Sequence, residues 1–256
     1  MGVVNVTPDS FSGDGVLWRD AAVTEAYGML DAGAAIVDVG GESTRPGSAA
    51  VPLEEELRRV VPVLEHLPGE PLSIDTSKAG VARQALELGV ELVNDVTALH
   101  GDPELVGAVA EAGVYVCLMH MQGEPRTMQA DPRYDDVVSE VKAFLEERLA
   151  FAVSQGVREE LVCLDPGIGF GKTPEHNLEL VRRLGELVAI GRPILIGFSR
   201  KSTLGKLLGD PDARVGTTAA SVGMAVAAYE RGATILRAHD VREHIEALRA
   251  AAAVLA

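Results

Sequence analysis

Eight short apolar runs, each closing on or just before a polar residue and each followed by a stretch of helical periodicity, constrain this chain most. The runs cover residues 2–6, 35–39, 71–75, 91–94, 114–119, 161–165, 193–197 and 233–236. Runs this short and this apolar read as strands buried on both faces, as in parallel sheets. Helical patterns fill the gaps, at about 20–33, 53–66, 78–88, 103–112, 136–155, 175–189, 214–231 and 241–254. Their ends carry chemical marks. Asp102-Pro103 and Thr173-Pro174 start helices, and Gly33, Gly89, Gly113, Gly156 and Gly232 end them. Asp240-Val-Arg-Glu243 has capping-box spacing, with Asp in place of Ser or Thr.

Strands alternating with helices leave two architectures, a closed (β/α)8 barrel or a doubly wound open sheet. The polar residues favour the barrel. Asn5, Asp38, Asp75, Asn94, His120, Asp165, Ser199 and Arg237 lie at or just past the C-terminal ends of eight different strands, which one barrel mouth requires. The expected fold is therefore α/β, a (β/α)8 TIM barrel, in one domain spanning residues 1–256. The chain enters strand at once, at Gly2-Val3-Val4-Asn5, which fits either a missing short upstream segment or an unusually compact start.

The net charge of −15 argues against a nucleic-acid or anionic-membrane partner. No run is long enough to span a membrane and no leader pattern is visible, so the expected location is the cytoplasm. Cys117 and Cys163 sit inside apolar runs and read as small core residues in a reducing compartment. An anionic substrate would need a local cluster of cations. Lysine is scarce, Lys78, Lys142, Lys172, Lys201 and Lys206 among 23 basic residues, and three of these lie in the motif loops. A lysine in such a loop suits a role as a compact point charge.

From strand end to strand end the chain reads Asn5-Val-Thr-Pro-Asp-Ser-Phe-Ser12, Asp38-Val-Gly-Gly-Glu-Ser-Thr-Arg-Pro-Gly47 and Ser73-Ile-Asp-Thr-Ser-Lys78. It continues with Asn94-Asp95-Val96, Met119-His-Met-Gln-Gly123, Asp165-Pro-Gly-Ile-Gly-Phe-Gly-Lys172, Gly197-Phe-Ser-Arg-Lys-Ser202 and Arg237-Ala-His-Asp240. Taken in order, these eight segments closely resemble the dihydropteroate synthase family, over nearly the whole chain. The resemblance implies a barrel enzyme that joins 6-hydroxymethyl-7,8-dihydropterin pyrophosphate to p-aminobenzoate, releasing pyrophosphate in folate biosynthesis. It also implies Mg²⁺, a homodimer through outer helices, and competition by sulfonamides.

Matched residue by residue, the resemblance places the pterin on Asp75, Asn94, Asp165, Lys201, Arg237, Met119 and Gly197. The chemistry fits. A row of ring donors suits the Asp165 carboxylate, Lys201 can donate to the ring carbonyl, and Arg237 can lie flat on the ring. Asn5, Arg237 and His239 match the pyrophosphate positions, with Asn5 as the contact to Mg²⁺. Thr44, Arg45, Pro46, Phe11, Phe170 and Ser202 match the p-aminobenzoate slot. Asp75, Lys201, Arg237 and His239 carry the catalytic roles, in a largely dissociative displacement. One departure stands out. The family reads Ser-Asp-Gly-Gly after the Phe, whereas this chain reads Ser12-Gly13-Asp14-Gly15, which leaves a closing role for Asp14 open. Ala238 between Arg237 and His239 replaces a usual valine and is mild.

Blander readings stand beside these. Asp38 either orients another group or is a buried structural acid paired with Arg45. His120 reads equally as structural or functional, and Lys172 as a clamp on its own loop. Lys78 opens a helix. His66, His100, His176 and His244 read as surface or helix positions, and Glu54-Glu-Glu56 as a solvated first turn. Two other functions fit in part. A pterin-binding methyltransferase domain would share Asp75, Asn94 and Asp165 but not need the Ser-Thr-Arg-Pro-Gly or Arg-x-His segments. A pterin-binding subunit without catalysis would not need Asn5, Lys201, Arg237 and His239 together.

Overall fold

The computed structural model describes residues 1–7, 15–44 and 48–255. Strands β1 (Gly2–Asn5), β2 (Val37–Gly40), β3 (Leu72–Asp75), β4 (Leu92–Asp95), β5 (Tyr115–Met119) and β6 (Val162–Asp165) pair in sequence order. All are parallel, as are β7 (Leu195–Ile196) and β8 (Ile235–Leu236). Two bridges close the ring, Leu164 with Ile194 and Gly2 with Ala238. Backbone bonds Leu164 N–H to Pro193 O and Ala238 N–H to Met1 O, both 2.9 Å, seal these joints. No open sheet edge is left at either joint, so the barrel replaces the doubly wound alternative.

Alternation along each strand sorts the side chains into two environments. Val37, Val39, Leu72, Ile74, Val93, Val116, Leu118, Val162, Leu164, Ile194 and Ile196 belong to the large core between barrel and helices. A buried Leu or Ile of this kind stabilises the fold by about 1.5–3 kcal/mol. The intervening residues fill the barrel itself. Leu92, Cys117, Cys163 and Leu195, with Met1, Ile36 and Ile235 against them, form an apolar plug. One residue pair further along the same strands stand Asp38, Asn94, Met119, Asp165, Gly197 and Arg237. The polar rim thus rests on an apolar floor. Both cysteines are free and buried there, as small core residues.

Around the ring lie α1 (Gly15–Asp31), α2 (Leu53–Leu64), α3 (Ala79–Glu87), α4 (Leu105–Ala112) and α5 (Val137–Ser154). They are followed by α6 (Pro174–Arg182), α7 (Leu184–Val188), α8 (Ser202–Leu207), α9 (Thr218–Tyr229) and α10 (Val241–Leu255). No described helix is long and apolar enough to cross a membrane. The glycines at 33, 89, 113, 156 and 232 all take positive φ, as helix ends ask. Thr173 caps α6 in a full capping box in which His176 Nδ1 accepts the return bond from Thr173 N–H, so that histidine has a structural task.

Several expectations need correction. The span 175–189 is two helices, broken at Arg183. The helix expected from 214 begins at Thr218, where Thr217 caps it. Helix α8, too short to show a periodicity, went unread. Asp102 does not start α4 directly. Its carboxylate accepts from Ala79 N–H at the neighbouring helix α3 and from Glu104 N–H. Asp240 gives its carboxylate to Arg200 and Thr218 instead of a capping box. His244 is buried. Glu56 is 0% exposed, not solvated. It accepts from Thr76 Oγ1 at 2.7 Å and pairs with Lys78, which also holds Glu42. Lys78 therefore does more than open α3: it ties the loop after β2 to β3.

Candidate active site at the barrel mouth

The rim is organised around Asp38, which is fully buried. Its Oδ1 accepts from Ser73 Oγ at 2.6 Å. Its Oδ2 accepts from Asn94 Nδ2 at 2.9 Å and from Arg237 Nε at 2.7 Å. Arg237 then donates through Nη2 to Asp75 Oδ2 at 2.9 Å. The guanidinium is therefore fixed between two carboxylates, and Asn94, with one amide N–H held by Asp38, keeps its second N–H and its carbonyl oxygen for a ligand. Asp38 is the orienting group; its suggested partner Arg45 lies outside the described residues. Ser73 belongs to the third strand-end motif, and strict alternation from Asp75 turns it inward to this task.

Burial pushes the Asp75 carboxyl up, to about 7, against the pull of Arg237. Burial works against the Arg237 charge too, but Asp38 and Asp75 more than offset it and hold the group protonated. Gly40, the register partner of Asp75 on one side and Asn5 on the other, makes room at this point. A Cβ there would come within 3.3 Å of Asp75 Cβ. A cavity of ≈ 210 Å³ opens beside Asp75, lined among others by Thr44, Thr76, Thr97, Met121 and Arg126.

The loop after β6 explains its own glycines. Asp165 Oδ1 accepts from Gly167 N–H at 2.7 Å. Gly167 takes φ +67°, and a Cβ on it would stand 1.9 Å from the His120 carbonyl oxygen. Gly171, at φ +62°, would strike Gln122 O at 2.4 Å. No other residue fits either place. Beneath the loop, buried Lys172 donates to Gly167 O and Phe170 O, both at 3.0 Å, and meets His120 Nδ1 at 2.8 Å. His120 is packed edge-on to Phe144, centroids 4.8 Å apart. Burial, then the nearby Lys172, lowers its pKa to about 3, so it serves as a neutral acceptor. Burial lowers Lys172 to about 7. Lys172 clamps its loop and His120 holds Lys172. Burial also raises the Asp165 pKa, against the Gly167 N–H and the charges of Lys201, Arg237 and Lys172.

Across the mouth, Arg200 takes the left-handed conformation, φ +59°, which reverses the chain between Ser199 and Lys201. Asp240 grips its guanidinium at 2.6 Å. Lys201 then carries its ammonium over the Phe170 ring, 4.3 Å from the centroid. Ser199 Oγ accepts from His239 N–H at 3.0 Å and meets His239 Nδ1 at 3.0 Å. The Ser199 hydroxyl thus holds the His239 backbone and its ring together through Nδ1, which fixes the orientation of the imidazole. Burial, then Arg200 and Arg237, lowers the His239 pKa to about 4. At neutral pH His239 is thus a neutral ring with one N–H to offer. The role of Ser199 was not read beyond its place at a strand end; its signal is the two-strand neighbourhood of β7 and β8.

The remaining expected residues fall as follows. Met119 is buried and is the register partner of Asp165. Gly197 lies against Arg237, 3.7 Å from Arg237 Cβ to the position of a Cβ. Asn5 ends β1, Thr44 lines the cavity by Asp75, and Ser202 opens α8. Phe11, Asp14, Arg45 and Pro46 lie outside the described residues.

A barrel rim with two buried carboxylates, Asp38 and Asp165, an oriented amide and an arginine held between acids can pair with a flat, donor-rich heterocycle. Residues 1–239 match the model of the pterin-binding enzyme family, and the chain belongs to that family. It is 47% identical to dihydropteroate synthase of Escherichia coli K12, over 100% of this chain and 91% of that protein. Among solved structures it resembles Xanthomonas albilineans dihydropteroate synthase with 4-aminobenzoic acid, at 46% identity and TM-score 0.91, covering 100% of this chain and 92% of that one. It also resembles the Yersinia pestis enzyme in complex with a sulfonamide drug, at 45% identity and TM-score 0.92, covering 100% and 93%. Within the family it stands with the dihydropteroate synthases, transferases of folate biosynthesis.

Proposed function

We propose that the residues of this rim divide the synthase reaction into three tasks: holding the pterin, receiving the leaving pyrophosphate, and presenting p-aminobenzoate. The observation that carries this reading is the Asp38-centred network, which fixes Asn94, Arg237 and through it Asp75 around one opening. The same reading takes residues 1–256 as a single cytoplasmic domain that pairs as a homodimer through outer helices, and sulfonamides as competitors of p-aminobenzoate.

Asp165 accepts from the pterin's amino and ring N–H groups in a charge-assisted pair. Asn94 gives and accepts on the adjoining edge, Asp75 accepts from a further ring nitrogen, and Lys201 donates to the ring carbonyl. Met119 and Gly197 border the ring, and Arg237 lies flat on it. The bond between the pterin methylene and the pyrophosphate oxygen breaks with its electron pair leaving on that oxygen. Positive charge then spreads into the ring, where Asp75 offsets it. Asn5, Arg237 and the His239 N–H receive the pyrophosphate. The lone pair of the arylamine forms the new C–N bond, and the nitrogen releases its proton to solvent. Thr44, Phe170 and Ser202 line the slot that presents this amine; the sequence match adds Phe11, Arg45 and Pro46, which lie outside the described residues.

Among the described residues no group of three His, Cys, Asp or Glu side chains could hold a metal ion. Asn5 offers one neutral oxygen, which suits Mg²⁺ that keeps its waters and takes phosphate oxygens from the substrate. Bound in that way, Mg²⁺ supplies charge neutralisation for the pyrophosphate.

Two measurements test the assignments. The first is the pH profile of kcat/KM for the pterin substrate, which reports the free enzyme. If ionised Asp75 is required, its pKa of about 7 makes kcat/KM fall as pH drops below neutrality. The fall approaches about tenfold per unit, and Asp75→Asn removes it. A flat profile from pH 8 to 5.5 would sink the role of Asp75. Stability runs the other way: with a pKa raised in the fold, the Asp75 contribution is full below about pH 4 and lost as pH rises towards 7. The second is Ser199→Ala, which releases the His239 ring from its hydroxyl anchor. The expected result is a kcat lower by about tenfold, the scale of one hydrogen bond to a charged group, at nearly unchanged KM for p-aminobenzoate.

A further inference from the structure

We infer that Asn177 is a positioning residue for the p-aminobenzoate half of the site, acting through Gly169 and Thr203. The inference rests on the division of tasks proposed above.

Asn177 lies in the first turn of α6 and is 0% exposed. Its Oδ1 accepts from Gly169 N–H at 2.8 Å. Its Nδ2 donates to Thr203 Oγ1 at 3.0 Å. Gly169 immediately precedes Phe170, and Thr203 follows Lys201 and Ser202. One buried carboxamide therefore bridges the loop after β6 to the loop after β7, at the place where their side chains meet. The Lys201 stem crosses Gly169, its Cδ 3.4 Å from where a Cβ would stand, and its ammonium covers Phe170. Phe170, Lys201 and Ser202 are the described side chains that wall the slot on this side.

Helix α6 does not need Asn177 for its start, because Thr173 and His176 already supply a complete capping box. The pterin side of the β6 loop does not need it either. Gly167 and Phe170 carbonyls are held by Lys172, and Asp165 is held by Gly167. Asn177 sets the distance between the two loops, beside the Lys201–Phe170 contact. Losing it leaves a half-buried N–H and a buried hydroxyl seeking partners, so the loops separate. The effect belongs to p-aminobenzoate more than to the pterin, which shares Lys201 but is also held by Asp75, Asn94, Asp165 and Arg237, none of them bonded to Asn177.

The test is steady-state kinetics on the full chain with both substrates, alongside thermal unfolding. Asn177→Leu, close in shape but without hydrogen bonds, is expected to raise the KM for p-aminobenzoate at least about fivefold, the scale of one lost bond. The KM for the pterin pyrophosphate stays within about twofold by the same scale. Thr203→Val keeps the Gly169 bond and raises the p-aminobenzoate KM by a smaller factor. Asn177→Asp can accept from both the Gly169 N–H and the Thr203 hydroxyl, and restores much of the loss. An unchanged p-aminobenzoate KM in Asn177→Leu and Thr203→Val overturns the inference. So does a parallel rise in both KM values, or a loss in Asn177→Asp as large as in Asn177→Leu. If Asn177→Leu fails to fold, Thr203→Val decides alone. If the wild-type chain makes no dihydropteroate, the assigned reaction fails instead, and pterin binding by the variants is then unaffected.

Discussion

Replacing Asp165 by Asn lowers kcat/KM for the pterin substrate by about a hundredfold or more and leaves the fold intact. Two charge-assisted hydrogen bonds are at stake, and the amide turns a donor towards ring donors. The loss is on the order of 3 kcal/mol, or somewhat over a hundredfold in rate. The fold does not share the loss. The Asn oxygen can keep the Gly167 N–H bond made by Asp165 Oδ1. Burial already presses the carboxyl towards its neutral form, so a neutral amide is tolerated. Thermal unfolding should therefore stay within a few degrees of wild type while activity collapses. Near-normal kcat/KM in Asp165→Asn would mean that the ligand edge faces another group.

The second large effect is on the fold itself. Asp38→Ala removes the acceptor shared by Ser73, Asn94 and Arg237. Breaking a buried ion pair by deleting one partner costs about 3–5 kcal/mol. At about 2–4 °C per kcal/mol for a chain near this size, the unfolding midpoint falls by roughly 6–20 °C. Activity falls with it, because Asn94 and Arg237 lose their orientation together. Asp38→Asn keeps an acceptor but places a donor among donors, and lies between. A midpoint within 2 °C of wild type would show that the rim does not depend on Asp38.

The fold was legible because its two signals are local. Short apolar runs and helix-ending glycines need no tertiary context, and eight polar strand ends pick the barrel over the open sheet. Helix α8 escaped because six residues hold less than two turns, too few for a periodicity. Glu56 escaped for the opposite reason. An acid in a first turn is ordinarily solvated, and only the packing of α2 against β3 brings Thr76 and Lys78 to it. The site was legible at its ligand-facing residues through motif resemblance. It was less so at the residues that hold them. Ser199, Asn177 and Thr203 act across loops distant in sequence, and no spacing rule marks a hydrogen bond between α6 and α8. Asp38 could be seen as buried and acidic, but its partners come from β3, β4 and β8.

The most direct measurement is product formation by the purified chain with 6-hydroxymethyl-7,8-dihydropterin pyrophosphate, p-aminobenzoate and Mg²⁺, each omitted in turn. The residues of the rim predict that 7,8-dihydropteroate and pyrophosphate appear in equal amounts and only when all three are present. Pyrophosphate release without p-aminobenzoate at the full rate, or pterin binding with no product under any condition, would contradict the assignment of the three tasks.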